Sequence, residues 1–279
     1  MRIVITDTSK KVAEYVSEYV IQRINDFQPT ADRPFVLGLP TGGTPVKTYQ
    51  RLIQAFREGR VSFKHVVTFN MDEYVGLPKD HPESYHSFMK NNLFSFIDVK
   101  PENINILDGN AADLIGECRS FEEKISSYGG IELFLGGIGS DGHIAFNEPG
   151  SSLASLTRVK SLNQETINDN ARFFDGDLTK VPTMALTVGV KTIMNARTVL
   201  IMATGPNKAV AVAKMTEGSI THTSPATALQ LHPSCVLVLD DDATMELRVK
   251  TVRYFKGLLK AESELDVRQK NAKKLLSKI

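Results

Sequence analysis

Cysteine is scarce: Cys118 and Cys235 are the only two in 279 residues. One sits in a helix-like pattern and the other in a strand-like run, so they read as two buried thiols and not as a disulfide framework. Long apolar runs are missing too. The longest, such as Val199 to Ala203 and Cys235 to Leu239, last five residues, far short of the roughly 20 that a helix needs to cross a bilayer. The opening MRIVITDTSKK turns polar after three apolar positions, so no signal-peptide core can be drawn and a cytoplasmic protein without membrane partners is expected. The sequence has no His-x-x-x-His pair, and its histidines at 65, 81, 86, 143, 222 and 232 show no ligand grouping. No metal site is therefore expected.

What is present is a chain with enough apolar residues for a sizeable core, 42% of the total. The net charge of +1 hides an asymmetry: residues 248–279 carry ten Lys or Arg against three acids, which leaves 23 basic and 29 acidic residues upstream. A basic tail can bind nucleic acid. This one interleaves Leu258, Leu259, Leu265, Leu275 and Leu276 at roughly helical spacing, with no aromatic residue beyond Phe255, and reads as a solvated terminal helix without a nucleic-acid partner.

Short β-rich runs alternate with amphipathic stretches. The strand candidates are Arg2 to Thr6, Phe35 to Leu39, His65 to Phe69, Asn103 to Leu107, Ile131 to Gly136, Thr198 to Ala203 and Cys235 to Leu239. Most are apolar without alternation, as strands covered on both faces are. After the first strand, Val12, Tyr15, Val16, Tyr19, Val20 and Ile24 mark one apolar helix face. Further helices are expected at about 45–57, 83–96, 111–128, 206–217 and 243–256. The rhythm predicts an α/β fold, a Rossmann-like, doubly wound, mostly parallel sheet with helices on both faces. One catalytic domain, 1–257, is expected, with a lid in the aperiodic stretch 150–181 and a basic C-terminal extension, 258–279. In such sheets ligands collect at the carboxyl ends of the strands.

Three loops at such ends stand out. Thr41-Gly42-Gly43-Thr44 follows an apolar strand and precedes Pro45. With Thr44 as N-cap and Pro45 as first helical residue, it would aim free amides and hydroxyls at an anion. It lacks the lysine of a Walker loop and the third glycine of a dinucleotide fingerprint. Asn70-Met71-Asp72-Glu73-Tyr74 puts two acids just past a buried strand. Either acid could be functional or could cap the next turn. Gly136 to Pro149 packs four glycines, Asp141, His143 and Glu148 into fourteen residues. A histidine flanked by carboxylates can be oriented on one ring nitrogen while the other exchanges protons with a substrate. The nearest approach to a nucleophile elbow, Ile138-Gly139-Ser140-Asp141-Gly142, is followed by Gly142 and Pro149, which break the helix an elbow requires. Arg172 and Lys208 are candidate anion clamps, each with the alternative of being an ordinary surface cation.

GLPTGGTP at 38–45, FNMDEYVGLP at 69–78, HPESYHSFM at 81–89, GSDGHIAFNEPGSSL at 140–153 and ARFFDGDLTKVPTMALTVGV at 171–190 together closely resemble the glucosamine-6-phosphate deaminase family. The likeness runs from about residue 1 to 256. It implies a hydrolase of amino-sugar catabolism that needs no cofactor. In it Asp72 would move a proton between C2 and C1, His143 would assist ring opening, and Asp141 and Glu148 would orient His143. Thr41, Gly42, Gly43, Thr44, Arg172 and Lys208 would hold the substrate phosphate.

The resemblance also implies a homo-oligomer, often a hexamer, activated by N-acetylglucosamine 6-phosphate. Met1, Ser151, Ser152, Arg158, Lys160 and Tyr254 occupy the matching allosteric positions. Ser161 stands where a threonine is usual, and THTSPAT at 221–227 replaces a segment that normally carries Met-Trp. The rival readings are a related sugar-phosphate isomerase or 6-phosphogluconolactonase, and a sugar-phosphate sensor without turnover.

Overall fold

A computed structural model describes residues 1–261, apart from the side chains at 165 and 169; the remainder of the basic extension, 262–279, lies outside the described residues. In chain order the first half comprises β1 (Arg2–Thr6), α1 (Ser9–Phe27), β2 (Phe35–Leu39), α2 (Val46–Arg57), β3 (Val66–Asn70), β4 (Asp72–Tyr74), α3 (Tyr85–Asn92), β5 (Ile104–Asn105) and α4 (Leu114–Ser127). The second comprises β6 (Leu133–Gly137), β7 (Arg158–Ser161), α5 (Gln164–Asn170), β8 (Met184–Thr187), α6 (Val190–Met194), β9 (Thr198–Ala203), α7 (Ala209–Glu217) and β10 (Cys235–Asp240). A final helix, α8, occupies 249–261.

Seven strands form a parallel sheet in the order β1-β10-β9-β6-β2-β3-β5. The expected doubly wound fold is present. Successive side chains of each strand feed opposite faces. Phe35, Leu37 and Leu39 pack with Val16 and Val20 of α1 and Leu52 of α2, while Val67, Phe69 and Phe134 meet Phe121 of α4 and Val212 of α7. Because both faces are covered, the strands read as unbroken apolar runs. Fully burying each such side chain stabilises the fold by roughly 1.5–3 kcal/mol.

The chain winds outward from β2 to β3 and β5, then returns to β6 beside β2 and winds the other way to β9 and β10. The winding reverses between β2 and β6, which opens a crevice at their carboxyl ends. Gly38 of β2 pairs with Phe134 of β6, and a Cβ there would lie 2.6 Å from the phenyl ring. Close approach of the two central strands thus depends on glycine.

The sequence pattern did not announce the second sheet, β4-β8-β7, which is antiparallel. β4 is three residues long and β7 reads Arg-Val-Lys-Ser, so neither carries a periodic signal, and pairing with β8 creates both. The aperiodic stretch 150–181 holds β7, α5 and a short 3-10 turn, Ala171–Phe173. It packs Ile167, Ala171, Phe174 and Val181 onto Tyr74 and Phe146 in a third small core.

Other boundaries moved. The first strand after α3 shrinks from the expected 103–107 to two residues at the sheet edge. α3 starts at Tyr85, where the Ser84 hydroxyl accepts from the Ser87 N–H. The last helix starts at 249 instead of 243, after a 3-10 turn, Asp242–Thr244. Glu217 of α7 receives the Arg248 N–H at 3.0 Å and the Thr251 hydroxyl at 2.5 Å, anchoring that start.

Candidate active site

The loops leaving β2, β3 and β6 meet around a cavity of about 250 Å³. Its walls include Thr41 to Thr44, Asp72, Gly137 to Ser140, His143, Arg172 and Lys208, so every catalytic and phosphate-site candidate except Asp141 and Glu148 lines one space. A second cavity of about 310 Å³ shares Gly43, Thr44, Arg172 and Lys208 with it. A larger cavity, about 860 Å³, lies between α4 and β7 against Ile115, Leu156 and Arg158 and holds none of the catalytic candidates.

Asp72 and Glu73 are adjacent on β4 and serve different ends. Asp72 faces the cavity. Burial, with the charge of Glu73 adding to it, pushes its carboxyl up to about 8. Glu73 turns away and receives the backbone N–H groups of Tyr85 and His86, each at 3.0 Å, and that of Tyr74 at 2.8 Å. Oε2, which accepts the His86 N–H, also lies 2.8 Å from His86 Nδ1. The capping reading holds for Glu73, which ties the first turn of α3 to β4, while the Asp72 carboxyl is presented to the cavity.

Asp141 reaches His143 as its spacing suggests. One carboxylate oxygen lies 2.7 Å from Nδ1, off the line of an ideal hydrogen bond, and accepts the His143 backbone N–H at 3.0 Å. Burial raises the Asp141 pKa, but the histidine contacts outweigh it and hold the carboxyl below its ordinary range. Gly139 lies under the ring, where a Cβ would sit 2.2 Å from Cε1 and Nδ1. No helix follows Ser140, as the breakers predicted. Glu148 is placed differently from Asp141. It is buried, with Oε1 receiving the Asn163 N–H at 2.9 Å and the Thr166 hydroxyl at 2.6 Å, and Oε2 lying 3.1 Å from Lys160 Nζ. Among the described residues no hydrogen bond or ion pair joins it to His143.

In the loop after β2 Gly42 takes φ +85°, a conformation costly for any residue with a Cβ. Thr44 is not the N-cap: Pro45 holds that position and α2 starts at Val46 without a side-chain cap. The Thr44 hydroxyl is thus left to the cavity that it lines. Arg172 lies 4.8 Å over the Phe173 ring, and Lys208 ends the 3-10 turn Pro206–Lys208 at the entry to α7.

Sequence reasoning missed several supports of this site. Buried Asp240 at the end of β10 accepts the N–H groups of Gly205 (2.9 Å) and Ala243 (3.0 Å), fixing the turn that carries Lys208. Tyr85, Thr166 and Asn170 also line the cavity. An acid closing an apolar strand before a turn was the available signal for Asp240; nothing local marked the other three.

Of the candidate allosteric positions, Ser151 and Lys160 meet at Glu148: the Ser151 N–H donates to its carbonyl at 3.0 Å and Lys160 pairs with its side chain. Arg158 donates to the neighbouring Asn147 at 2.8 Å. The Ser152 hydroxyl accepts from the Ala154 N–H, Met1 packs on the core, and Tyr254 is exposed on α8. Among the described residues no group of three or more His, Cys, Asp or Glu forms a metal-binding cluster, and no helix is long and apolar enough to cross a membrane.

Residues 7–237 match the sequence profile of the glucosamine-6-phosphate isomerases/6-phosphogluconolactonase family. Glucosamine-6-phosphate deaminase from Aeromonas salmonicida is 59% identical over 92% of this chain and 97% of its own length. Glucosamine-6-phosphate deaminase 1 from Bos taurus is 60% identical over 95% and 92%. The solved structure of a monomeric glucosamine-6-phosphate deaminase superposes with a TM-score of 0.84 at 39% identity, covering 88% of this chain and all of that one. The 6-phosphogluconolactonase of Trypanosoma brucei shares the fold at a TM-score of 0.70 and 21% identity. A doubly wound sheet with its cavity at the switch point, matched in sequence along most of its length, makes this chain a member of the glucosamine-6-phosphate isomerase/6-phosphogluconolactonase family.

Proposed function

We propose that this protein converts glucosamine 6-phosphate and water to fructose 6-phosphate and ammonia. The observation that carries the reading is Asp72: a buried carboxyl, pushed up to about 8, at the wall of a cavity whose other end gathers Arg172, Lys208 and a glycine-rich loop. A raised pKa suits a base that must take a proton from carbon and give it back.

The phosphate sits against Thr41 to Thr44, Arg172 and Lys208, which sets the sugar's reach toward Asp72. His143, oriented by Asp141, moves the anomeric hydroxyl proton to the ring oxygen, breaking the C1–O5 bond and leaving a C1 aldehyde. Asp72 takes the C2 proton to give an enolamine and returns it to C1, leaving a ketimine at C2. Water adds to that carbon and ammonia leaves. The substrate's own carbonyl and ammonium acidify C2. Glu148, clamped by Thr166 and Lys160, holds the 150–181 segment against the catalytic loop, and this segment acts as a lid. The chain assembles as a homo-oligomer, with Ser151, Ser152, Arg158, Lys160, Met1 and Tyr254 as the binding positions for N-acetylglucosamine 6-phosphate as activator.

A lactonase needs no base at C2. The discriminating experiment incubates purified protein with glucosamine 6-phosphate in deuterated water, with and without N-acetylglucosamine 6-phosphate. Ammonia release and C2 proton exchange are followed together, for wild type and Asp72→Asn. Wild type should do both and the Asn variant neither. Exchange near the wild-type rate in the Asn variant would remove Asp72 from the role of base, and no ammonia from wild type would remove the deaminase reading.

A further inference from the structure

Residues 221–227, the THTSPAT stretch, touch the loop that carries His143 at both of its ends. The Ala226 N–H donates to the Gly142 carbonyl at 3.0 Å, and the Gly150 N–H donates to the His222 carbonyl at 2.8 Å. Gly142 and Gly150 both take φ +92°, a backbone region that residues with a Cβ rarely adopt. They are the two bends between which the loop hangs, with His143 next to the first and Glu148 two positions before the second. Ser224 packs directly on the first bend: it is buried, and a Cβ on Gly142 would lie 2.1 Å from its Oγ.

One side chain gives the stretch its shape. Thr227 is fully buried in the 3-10 turn Pro225–Leu231. Its hydroxyl accepts the Thr221 N–H at 2.9 Å and lies 2.7 Å from the Ser224 carbonyl and 3.1 Å from the Thr221 carbonyl, either of which can take its proton. The backbone closes around the same point, with the Thr227 N–H on the Ser224 carbonyl at 2.9 Å and the Ser224 N–H on the Thr221 carbonyl at 3.2 Å. Ala226 and Leu229 root the turn in the core that also holds Val212 of α7. The His222 carbonyl and the Ala226 N–H are thereby held at a set spacing for the two glycines.

We propose that Thr227 is a positioning residue for His143: by closing 221–227 into a fixed turn it sets both ends of the 142–150 loop and so the place of the imidazole. The proposal rests on the reading of His143 as the group that opens the sugar ring. Asp141 and Gly139, whose N–H donates to the His143 carbonyl at 2.9 Å, orient the histidine relative to its own neighbours. The turn rooted in the core orients the loop relative to the sheet. Glycine bends resist displacement weakly, so the hydrogen bonds at Gly142 and Gly150 carry that task, and a shift of about 1 Å at a proton-transferring group costs on the order of a hundredfold in rate.

The test compares Thr227→Val and Thr227→Ser, each alone and on the His143→Gln background. The readouts are kcat on cyclic glucosamine 6-phosphate and on an open-chain substrate, hydrogen–deuterium exchange of the peptide spanning 142–150, and melting temperature. Thr227→Val keeps the side chain's shape and leaves the Thr221 N–H without its acceptor. Exchange in the 142–150 peptide should quicken, and kcat on the cyclic substrate should fall by roughly ten- to a hundredfold. The open-chain substrate should lose less, the Ser variant should stay near wild type, and the Val change should add little on the His143→Gln background. A merely structural role would lower the melting temperature and slow both substrates alike. Unchanged exchange, unchanged cyclic turnover, equal losses on the two substrates, or a full further loss on the His143→Gln background each overturns the proposal. No effect of His143→Gln alone overturns both the proposal and the ring-opening role of His143, whereas a loss there with none in Thr227→Val overturns only the proposal. Should Thr227→Val fail to fold, Thr227→Cys, whose thiol bonds weakly, should show a smaller loss of the same sign; no loss there also overturns it.

Discussion

Asp72 and Glu73 are consecutive residues of one three-residue strand, and the first faces the cavity while the second receives the opening N–H groups of α3 at 3.0 Å. Alternation along a strand makes this division of labour inevitable once β4 is paired with β8. It also makes opposite predictions for the two carboxylates.

Asp72 titrates near an ordinary carboxyl value in the unfolded chain and at about 8 in the folded protein. The folded state therefore holds a proton that the unfolded chain gives up, so stability from this group is complete below about pH 4 and declines as pH rises toward the folded value. Asp72→Asn carries no charge at any pH. Its unfolding free energy should exceed that of wild type by roughly 1–3 kcal/mol at pH 8 and match it near pH 4. Urea denaturation at both values checks this; a less stable Asn variant at pH 8 would contradict the placement of a buried, uncompensated carboxylate.

Glu73→Ala should behave in the opposite way. It leaves the Tyr74, Tyr85 and His86 N–H groups without their acceptor and should destabilise the protein by roughly 2–4 kcal/mol, independent of turnover. Where the variant remains folded it should still exchange the C2 proton. Abolished exchange in a folded Glu73→Ala protein would transfer the base to Glu73.

Gly139→Ala inserts a methyl where the His143 ring lies. The imidazole must move, so turnover of the cyclic substrate should fall by roughly 10²–10⁴, as for His143→Gln, with no further loss in the double variant. An open-chain substrate should lose less. Equal losses on both substrates would show that His143 does not act chiefly in ring opening.

Arg172→Ala and Lys208→Ala each remove a cation from the wall shared by the two adjoining cavities. Each should mainly raise KM, by roughly ten- to a hundredfold, since a charged hydrogen bond to phosphate contributes about 1.5–3 kcal/mol. Asp240→Asn should mimic Lys208→Ala in weaker form, because it loosens the turn at Gly205 that presents Lys208. Unchanged KM in both cation variants would remove them from the phosphate site.

The order of apolar runs and glycine-rich loops determined much of this protein before any coordinates. Unbroken strands such as Phe35–Leu39 require cover on both faces, and the loops that follow β2, β3 and β6 had to gather at one end of a parallel sheet. Asp141 and His143 were legible as a pair because they lie two positions apart in the chain. Tertiary structure decided what local pattern does not encode. Which of two adjacent acids faces the cavity depends on pairing with a strand more than a hundred residues away. Thr44 yields its capping role because α2 begins one residue later than its proline suggests. Glu148 meets Lys160 and Thr166 because β7 and α5 fold back over it, and Tyr85 enters the site because Glu73 holds α3 against β4. Each depends on long-range contacts whose free energy appears only when the whole sheet is assembled, so no window of sequence carries them.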